Sequence, residues 1–366
     1  MSERTDVQHA EFAAAFDRDL DPLAEFETTF EGLDADPFDL FVNDVLASRD
    51  LVDETHEHYD RTFRQWREFM AEEGRHPACP SVSHVKSFMR HQRDVEGNHP
   101  GTIQDKLQRL SAVYEWWQDE PAFPHPRDFD PISSAQQKVN LEKPEKKEPP
   151  RISVEELRDL LSNVTHVRDR AIIVAQLKLG LRVSELCNIQ LAEVDIQNTE
   201  LQNHYPDLGS HPMLDERPNA VYIPHDRDRN KSERPRVLPL DNELRRVLIR
   251  YLMIRPDADE PWLFLAESTH DRFLQMGVMG TWKDAFHPEY AETDQHRAIT
   301  SHFGRHRFTT YWRVERDMNY EHIKYMRGDK TNRSPGSGRG AIDRYIHTYY
   351  EDIEPLYRKQ IYKLGV

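Results

Sequence analysis

Cysteine and long apolar runs are nearly missing from this sequence of 366 residues. The two cysteines, Cys79 and Cys187, are too few for a disulfide framework or a cysteine-based zinc site. No apolar run approaches the length of a membrane span, and residues 1–21 lack the basic and then apolar pattern of a secretory signal. We therefore expect a cytoplasmic protein that has no membrane partner.

The sequence also has fewer basic residues than acidic ones. The net charge is −16, which is the wrong sign for a chain that grips nucleic-acid phosphates. Residues 1–36 hold 11 acids and 2 bases, while the rest holds 54 acids and 47 bases. Lysine is scarce, with 13 residues against 36 arginines. This composition is typical of proteins from a salt-rich cytoplasm, so we interpret the acidity as a halophilic solubility device that says little about the partner.

The first half of the sequence predicts an acidic arm and a helical domain. Residues 1–36 are acidic and weakly patterned, which favours a flexible or partner-binding arm. Within residues 37–135, apolar positions fall at helical spacing in three segments, 59–72, 84–92 and 102–118. Proline and glycine separate these segments, as expected for a small all-helical domain. Lys106 and Arg109 are assigned to the polar side of the third segment.

A basic, proline-rich linker follows at residues 136–151. It has no apolar periodicity, and it concentrates lysine in a lysine-poor chain, including Lys143, Lys146 and Lys147. Prolines stiffen such a segment and charge keeps it solvated. Two interpretations stay open, a solvated tether and a tether that lies on a polyanion.

Residues 152–366 predict a second domain that is mainly helical. Ser153 and Glu156 have capping-box spacing and open a helix, and residues 167–189 form a second, strongly apolar helical stretch. Three short β-like runs follow at 194–196, 220–223 and 236–240, with a polar loop at 197–219. We expect these runs to form a small three-stranded antiparallel sheet in a mainly α protein.

Five polar residues of this domain are candidates for catalysis. Each of them could instead have an ordinary structural role, such as an ion pair, a solvated loop or surface residue, or core packing. Arg182 lies in an apolar stretch, where a guanidinium needs an anion or a carbonyl, and Glu185 is within reach across one helical turn. Lys231 lies between two β-runs. His302 and Arg305 share a helix face at a spacing of three residues, and Tyr345 is one of several C-terminal tyrosines.

Taken together, these residues resemble the tyrosine recombinase (phage integrase) family, including archaeal, halophile-like integrases and Xer-type recombinases. The resemblance rests on GLRVSEL at 180–186, on the block from His302 to His306, on Tyr345-x-His347, and on Lys231 ahead of the second hairpin strand. It covers nearly all of the chain except the acidic arm. It implies a C-shaped clamp of two domains that closes round double-stranded DNA, and a homotetramer assembled on that DNA. Accessory proteins are not indicated.

The resemblance also implies a site-specific DNA recombinase that works through a covalent 3′-phosphotyrosine. Tyr345 would attack, Arg182 and Arg305 would hold the phosphate, His302 would act as base and Lys231 as acid, with Glu185 and His306 as supports. The family usually has His or Trp at a sixth position, where this chain has Asp329, with Lys330 as a neighbouring candidate. Residues 330–340 would form an inserted hinge before Tyr345. No acidic cluster or His/Cys spacing demands a metal or another cofactor. The candidates for DNA contacts are Lys106, Arg109, Lys143, Lys146 and Lys147.

Two other functions compete with this interpretation. A type IB topoisomerase would share the five catalytic residues, but the compact helical first domain favours a recombinase. A non-enzymatic DNA-binding protein would usually lose the tyrosine or an arginine, and all five residues are present. The amphipathic C-terminal segment, residues 352–366, docks either on a neighbouring subunit or on its own chain, and the sequence favours neither.

Overall fold

The structure is a computed structural model, which describes residues 12–13, 15–16, 19–49, 53–139, 141, 147–329 and 349–366. The chain divides into two compact units, Met1–Lys146 and Lys147–Val366. Lys143, Lys146, Tyr345 and the hinge expected at 330–340 lie outside the described residues. Within the described ranges, no helix is long and apolar enough to cross a membrane.

The first unit is helical throughout its described part, and the three predicted helices are confirmed. Its apolar stripes meet in one core rich in aromatic rings, among them Phe63, Trp66 and Trp117. Its α-helices are α1 (Glu27–Glu31), α2 (Pro37–Phe41), α3 (Asp53–Glu72), α4 (Val82–Asp94), α5 (Pro100–Asp119) and α6 (Pro131–Lys138).

The described end of the acidic segment packs on this unit. Leu23 and Phe30 are buried in the aromatic core. Arg75 forms ion pairs with Asp21 at 2.9 Å and with Glu27 at 3.3 Å. Apolar burial and charge pairing therefore fold residues 21–36 into the helical unit, where the sequence pattern had indicated an arm.

Lys106 does not lie on the polar face of α5, and its assignment to that face was wrong. Its side chain is buried and its ammonium group donates to the amide oxygen of Gln92. The reason is helical spacing, because residue 106 follows Ile103 by three positions and precedes Leu110 by four. Arg109 is half-buried and donates to the hydroxyl of Thr62 at 3.5 Å.

The second unit is built round α8 (Val167–Leu179), which is buried along most of its length and packs against α11 (Asn242–Leu252), α12 (Gln275–Tyr290) and α13 (Ser301–Thr310). The capping box of Ser153 and Glu156 at the start of α7 is confirmed. The expected polar loop at 197–219 contains a short helix, α10. The elements are α7 (Val154–Asn163), α8 (Val167–Leu179), α9 (Val183–Cys187), α10 (Thr199–His204), β1 (Ala220–Ile223), β2 (Arg236–Pro239), α11 (Asn242–Leu252), α12 (Gln275–Tyr290), α13 (Ser301–Thr310), α14 (Tyr320–Arg327) and α15 (Tyr350–Gln360).

The sheet of the second unit has two strands among the described residues, where three were expected. Strands β1 and β2 pair antiparallel, with Ala220 opposite Pro239 and Ile223 opposite Arg236. The run at 194–196 adds one antiparallel bridge, between Val194 and Val221. It does not extend further as a strand because the chain turns at a 3-10 helix, Leu191–Glu193, immediately before it.

The C-terminal segment docks on its own chain. Ile353 and Tyr357 of α15 are buried in the core of the second unit. After α15, the carboxylate of Glu243 accepts the backbone N–H groups of residues 364–366 at 2.6–3.1 Å. The same carboxylate pairs with the buried Lys178 at 2.6 Å. The buried ion pair of Glu243 and Lys178 thus fixes residues 364–366 to the second unit.

Candidate active site

The turn between α8 and α9 presents Arg182. Gly180 ends α8 in the left-handed conformation, with φ of 64°, and any Cβ there would lie 2.5 Å from the ring of Phe308 on α13. Glycine is therefore required both by the backbone angle and by the close approach of α13. Arg182 then caps α9, its backbone N–H donating to the carboxylate of Glu185 at 2.8 Å.

Glu185 is a buried carboxylate that orients two arginines. It contacts a side-chain nitrogen of Arg182 at 3.3 Å and pairs with the fully buried Arg236 of β2 at 2.9 Å. Burial alone would raise the pKa of Glu185, but the charges of Arg236 and Arg305 outweigh it and lower that pKa. Glu185 thus stays ionised, and its carboxylate fixes the orientation of the Arg182 guanidinium.

Helix α13 supplies the second arginine. Arg305 is only 3% exposed, and it donates to the carbonyl oxygens of Gly180 at 2.9 Å and Arg327 at 3.1 Å. Burial and the nearby charge of Arg182 lower the pKa of Arg305. A guanidinium keeps its proton even so, since its ordinary pKa lies far above physiological pH.

The carboxylate of Asp329 joins three arginines. One oxygen, Oδ1, lies 3.1 Å from Nη2 of Arg182 and 2.7 Å from Nη2 of Arg305. The other oxygen, Oδ2, lies 2.6 Å from Nε of Arg327. The three guanidiniums therefore converge on one small oxyanion. We name Arg182, Arg305, Arg327 and Asp329 the arginine cluster.

His302 lies one helical turn before Arg305 on α13, with its side chain exposed. Its ring stands nearly perpendicular to that of His306, with the ring centroids 4.5 Å apart. Desolvation of the ring by the surrounding protein atoms, together with the charges of His306 and Arg305, lowers the pKa of His302 below its ordinary value of 6.5. The neutral imidazole, which can accept a proton, is therefore favoured.

Lys231 lies exposed in the loop between β1 and β2. The residues that follow it reach the arginine cluster, because the backbone N–H of Glu233 donates to the carbonyl of Gly328 at 2.9 Å. Gly328 has φ of 68°, and a Cβ there would lie 2.4 Å from Nη1 of Arg236 and 2.9 Å from Cβ of Ser232. The loop that carries Lys231 is thus attached to the residue before Asp329.

The structure describes most of the predicted site residues, and it joins some of them directly. The structure joins Arg182, Glu185, Arg305 and Asp329 by direct contacts, and it places His302 and His306 on the helix of Arg305. Tyr345, like Lys143 and Lys146, lies outside the described residues. Lys147 is described and contacts Glu292 at 3.0 Å within the second unit.

Sequence reasoning missed Arg236 and Arg327. Arg236 carried one signal, since it is a charged residue inside an apolar β-run and such a residue needs a buried partner. Arg327 carried none, because its contact with Asp329 depends on how α14 ends at Gly328.

Residues 150–331 match the phage integrase family. Tyrosine recombinase XerA of Pyrococcus horikoshii is 24% identical over 200 residues, which are 55% of this chain and 60% of that protein. The match thus spans less than two thirds of the length of this curated relative.

Solved structures share the fold at low sequence identity. The Tn1549 transposon integrase in complex with transposon right end DNA has a TM-score of 0.59 and 18% identity, with 88% of this chain and 98% of that chain covered. A lambda integrase dimer bound to a COC′ core site has a TM-score of 0.56 and 12% identity, covering 81% and 91%. A lambda integrase tetramer bound to a Holliday junction has a TM-score of 0.55 and 11% identity, covering 84% and 85%.

Proposed function

This chain belongs to the phage integrase family of tyrosine recombinases, and from that premise we propose that it is a site-specific DNA recombinase. It cleaves and rejoins DNA strands through a covalent 3′-phosphotyrosine. The observation that carries the proposal is the convergence of Arg182 and Arg305 on a single carboxylate oxygen of Asp329, at 3.1 and 2.7 Å. Planar guanidiniums that hold a carboxylate in this way are equally suited to the non-bridging oxygens of a phosphodiester.

The reaction is a transesterification. The phenol oxygen of Tyr345 forms a bond to phosphorus, the bond to the 5′ oxygen breaks, and Arg182 and Arg305 stabilise the charge that develops on the phosphate oxygens. His302 accepts the phenol proton, and its lowered pKa keeps it available as a base near neutral pH. Lys231 gives a proton to the leaving 5′ oxygen. Attack by the 5′ hydroxyl of another strand reverses these steps and completes the exchange.

Asp329 takes the sixth position in this proposal, in preference to Lys330. Its carboxylate fills the anion position between the arginines in the absence of DNA. A phosphodiester and a carboxylate cannot share that position without strong repulsion. The carboxylate therefore holds the guanidiniums in place until a phosphate displaces it.

The DNA-binding arrangement follows the family. Two units close round the duplex as a C-shaped clamp, and four protomers assemble on two duplexes. The solved relatives support this, since one is bound to transposon end DNA and another is a tetramer on a Holliday junction. Arg109 is half-buried and stays a candidate for DNA contact, whereas Lys106 is buried. Lys143, Lys146 and Lys147 would lie along the backbone as phosphate contacts.

The working environment in this proposal is a salt-rich cytoplasm. The net charge of −16 and the low lysine content support it. High salt weakens the counterion-release part of DNA affinity. Contacts other than ion pairs to phosphates, such as those to base edges, must therefore carry more of the binding than in a low-salt homologue.

Covalent capture tests the proposed function. Nicked fragments of genomic DNA from the source cell are incubated with the protein in high potassium chloride. The protein is then recovered under denaturing conditions and the attached DNA is sequenced. Attachment at one sequence, followed by strand exchange between two copies of it, supports a recombinase. Attachment at many sequences with relaxation of supercoils would indicate a type IB topoisomerase, and DNA binding without attachment a non-enzymatic protein.

A further inference from the structure

Asn188 caps the C-terminal end of α9, and both the nitrogen and the oxygen of its side-chain amide form hydrogen bonds. It is only 4% exposed. Its Nδ2 donates to the carbonyl of Asp228 at 2.8 Å and to the amide oxygen of Asn230 at 2.9 Å. Its Oδ1 accepts from Arg272 at 2.8 Å. A buried amide with three partners fixes the segments that it joins.

The segment joined to α9 is the loop that leads into Lys231. Within it, Asn230 donates from its side chain to the carbonyl of Pro224 at 2.9 Å and from its backbone to that of Arg227 at 2.9 Å. Arg227 pairs with Glu193 through two nitrogens, at 2.7 and 2.9 Å. The loop is thus closed on itself and tied down immediately before Lys231.

Helix α9 connects this loop to the arginine cluster. Arg182 caps its first turn and Asn188 caps its last, with five helical residues between them. Five residues of α-helix span about 7.5 Å and do not stretch. The backbone N–H of Glu233, on the other side of Lys231, donates to Gly328. Lys231 therefore lies between two fixed points of its loop, the contact of Asn230 with Asn188 and the hydrogen bond from Glu233 to Gly328. Both fixed points are connected to the residues expected to hold the phosphate.

We propose that Asn188 is a positioning residue for the cleavage step, one that sets the distance between Lys231 and the phosphate held by Arg182. The inference rests on the proposed function, in which Lys231 is the general acid. A general acid must come within about 2.6–3.2 Å of the atom that it protonates. Lysine has a long and mobile side chain, so the backbone that carries it has to be fixed. A displacement of about 1 Å costs about 100-fold in rate.

The test compares two leaving groups. Nicked duplexes carry the sequence recovered by covalent capture, with either oxygen or sulfur at the 5′ bridging position of the scissile bond. A thiol has a pKa of about 8.5, so a thiolate leaves without a proton from the enzyme. We expect N188A to slow single-turnover cleavage of the oxygen substrate at least tenfold and to leave the sulfur substrate within about twofold of wild type. K231A should show the same pattern with a larger loss.

Two further variants keep the test decisive. N198A removes the capping side chain of α10 in the same unit, and it should leave both rates unchanged. N230A breaks the same contact from the loop side, so it replaces N188A if that variant does not fold. Equal loss on both substrates, or no loss on either, would overturn the positioning role. If wild type cleaves neither duplex, the proposed function fails instead.

Discussion

Replacing Asp329 by asparagine removes the charge on which three guanidiniums converge. The carboxylate is 27% exposed and lies within 2.6–3.1 Å of Arg182, Arg305 and Arg327, of which Arg305 is almost fully buried. Opposite charges about 4 Å apart attract by about 4 kcal/mol at an effective dielectric constant of about 20. Breaking a fully buried pair costs about 3–5 kcal/mol and an exposed pair about 0–1 kcal/mol. For this partly buried group we expect D329N to lower the free energy of unfolding by about 2 kcal/mol.

The loss should depend on the anion in solution. Sulfate can replace the carboxylate between the arginines, whereas chloride cannot bridge them as well. Urea unfolding of both proteins is measured in potassium chloride and in potassium sulfate at matched ionic strength. The control is D317N, since Asp317 is exposed and lies 3.7 Å from Arg313. We expect the loss of unfolding free energy in D329N to be smaller in sulfate than in chloride. The small loss in D317N should be the same in both salts. A deficit that is absent, or equal in both salts, would refute the role of Asp329 as an internal anion.

Three further predictions concern the neighbours of the cluster. We expect the lowered pKa of His302 to place the acid limb of cleavage below pH 6.5 in wild type, and H306A, which removes a charge that lowers this pKa, to move the limb up toward 6.5. G328A should lower the free energy of unfolding by more than about 2 kcal/mol, because its Cβ would meet Arg236 as well as strain the backbone. E185Q should cost about 3–5 kcal/mol, since it leaves the buried guanidinium of Arg236 without its counter-charge.

Each of these three predictions can be tested by a direct measurement. Cleavage rates from about pH 5 to 8 report the first, and an acid limb that does not move in H306A would contradict it. For G328A the matched control is G74A, which has the same φ of 68° but nothing within 4 Å of the added Cβ. Equal losses in the two glycine variants would remove the steric argument. Retained stability of E185Q in urea would show that Arg236 has another partner.

The resemblance to the family predicted Arg182 and Arg305 as site residues, because their flanks are distinctive. Arg182 follows a glycine in an apolar stretch, and Arg305 shares a helix face with His302, but each pattern alone had an ordinary explanation and only the whole set of motifs resembled the family. The resemblance placed Asp329 at a sixth position of the same site, but it did not predict the direct contacts of the carboxylate with both arginines, which join positions 147 and 24 residues apart. Such contacts depend on how α8 and α13 pack, and periodicity does not report that.

The failures have equally local causes. Lys106 was assigned to a polar face although its spacing from Ile103 and Leu110 placed it on the apolar one. The apolar stretch 167–189 was treated as one helix, whereas Gly180 takes a left-handed conformation and divides it. Apolar content alone does not distinguish one long helix from two short ones, and the glycine was the signal that did.

Mapping the attachment site tests the central claim most directly. Wild type, Y345F and Y349F are incubated with the nicked duplex, and the peptide joined to DNA is identified by mass spectrometry. Tyr349 is the matched control, since it is exposed and lies four residues beyond the proposed nucleophile. We predict attachment through Tyr345 in wild type and Y349F, and none in Y345F. Attachment that persists in Y345F, or that maps to another residue, would contradict the account.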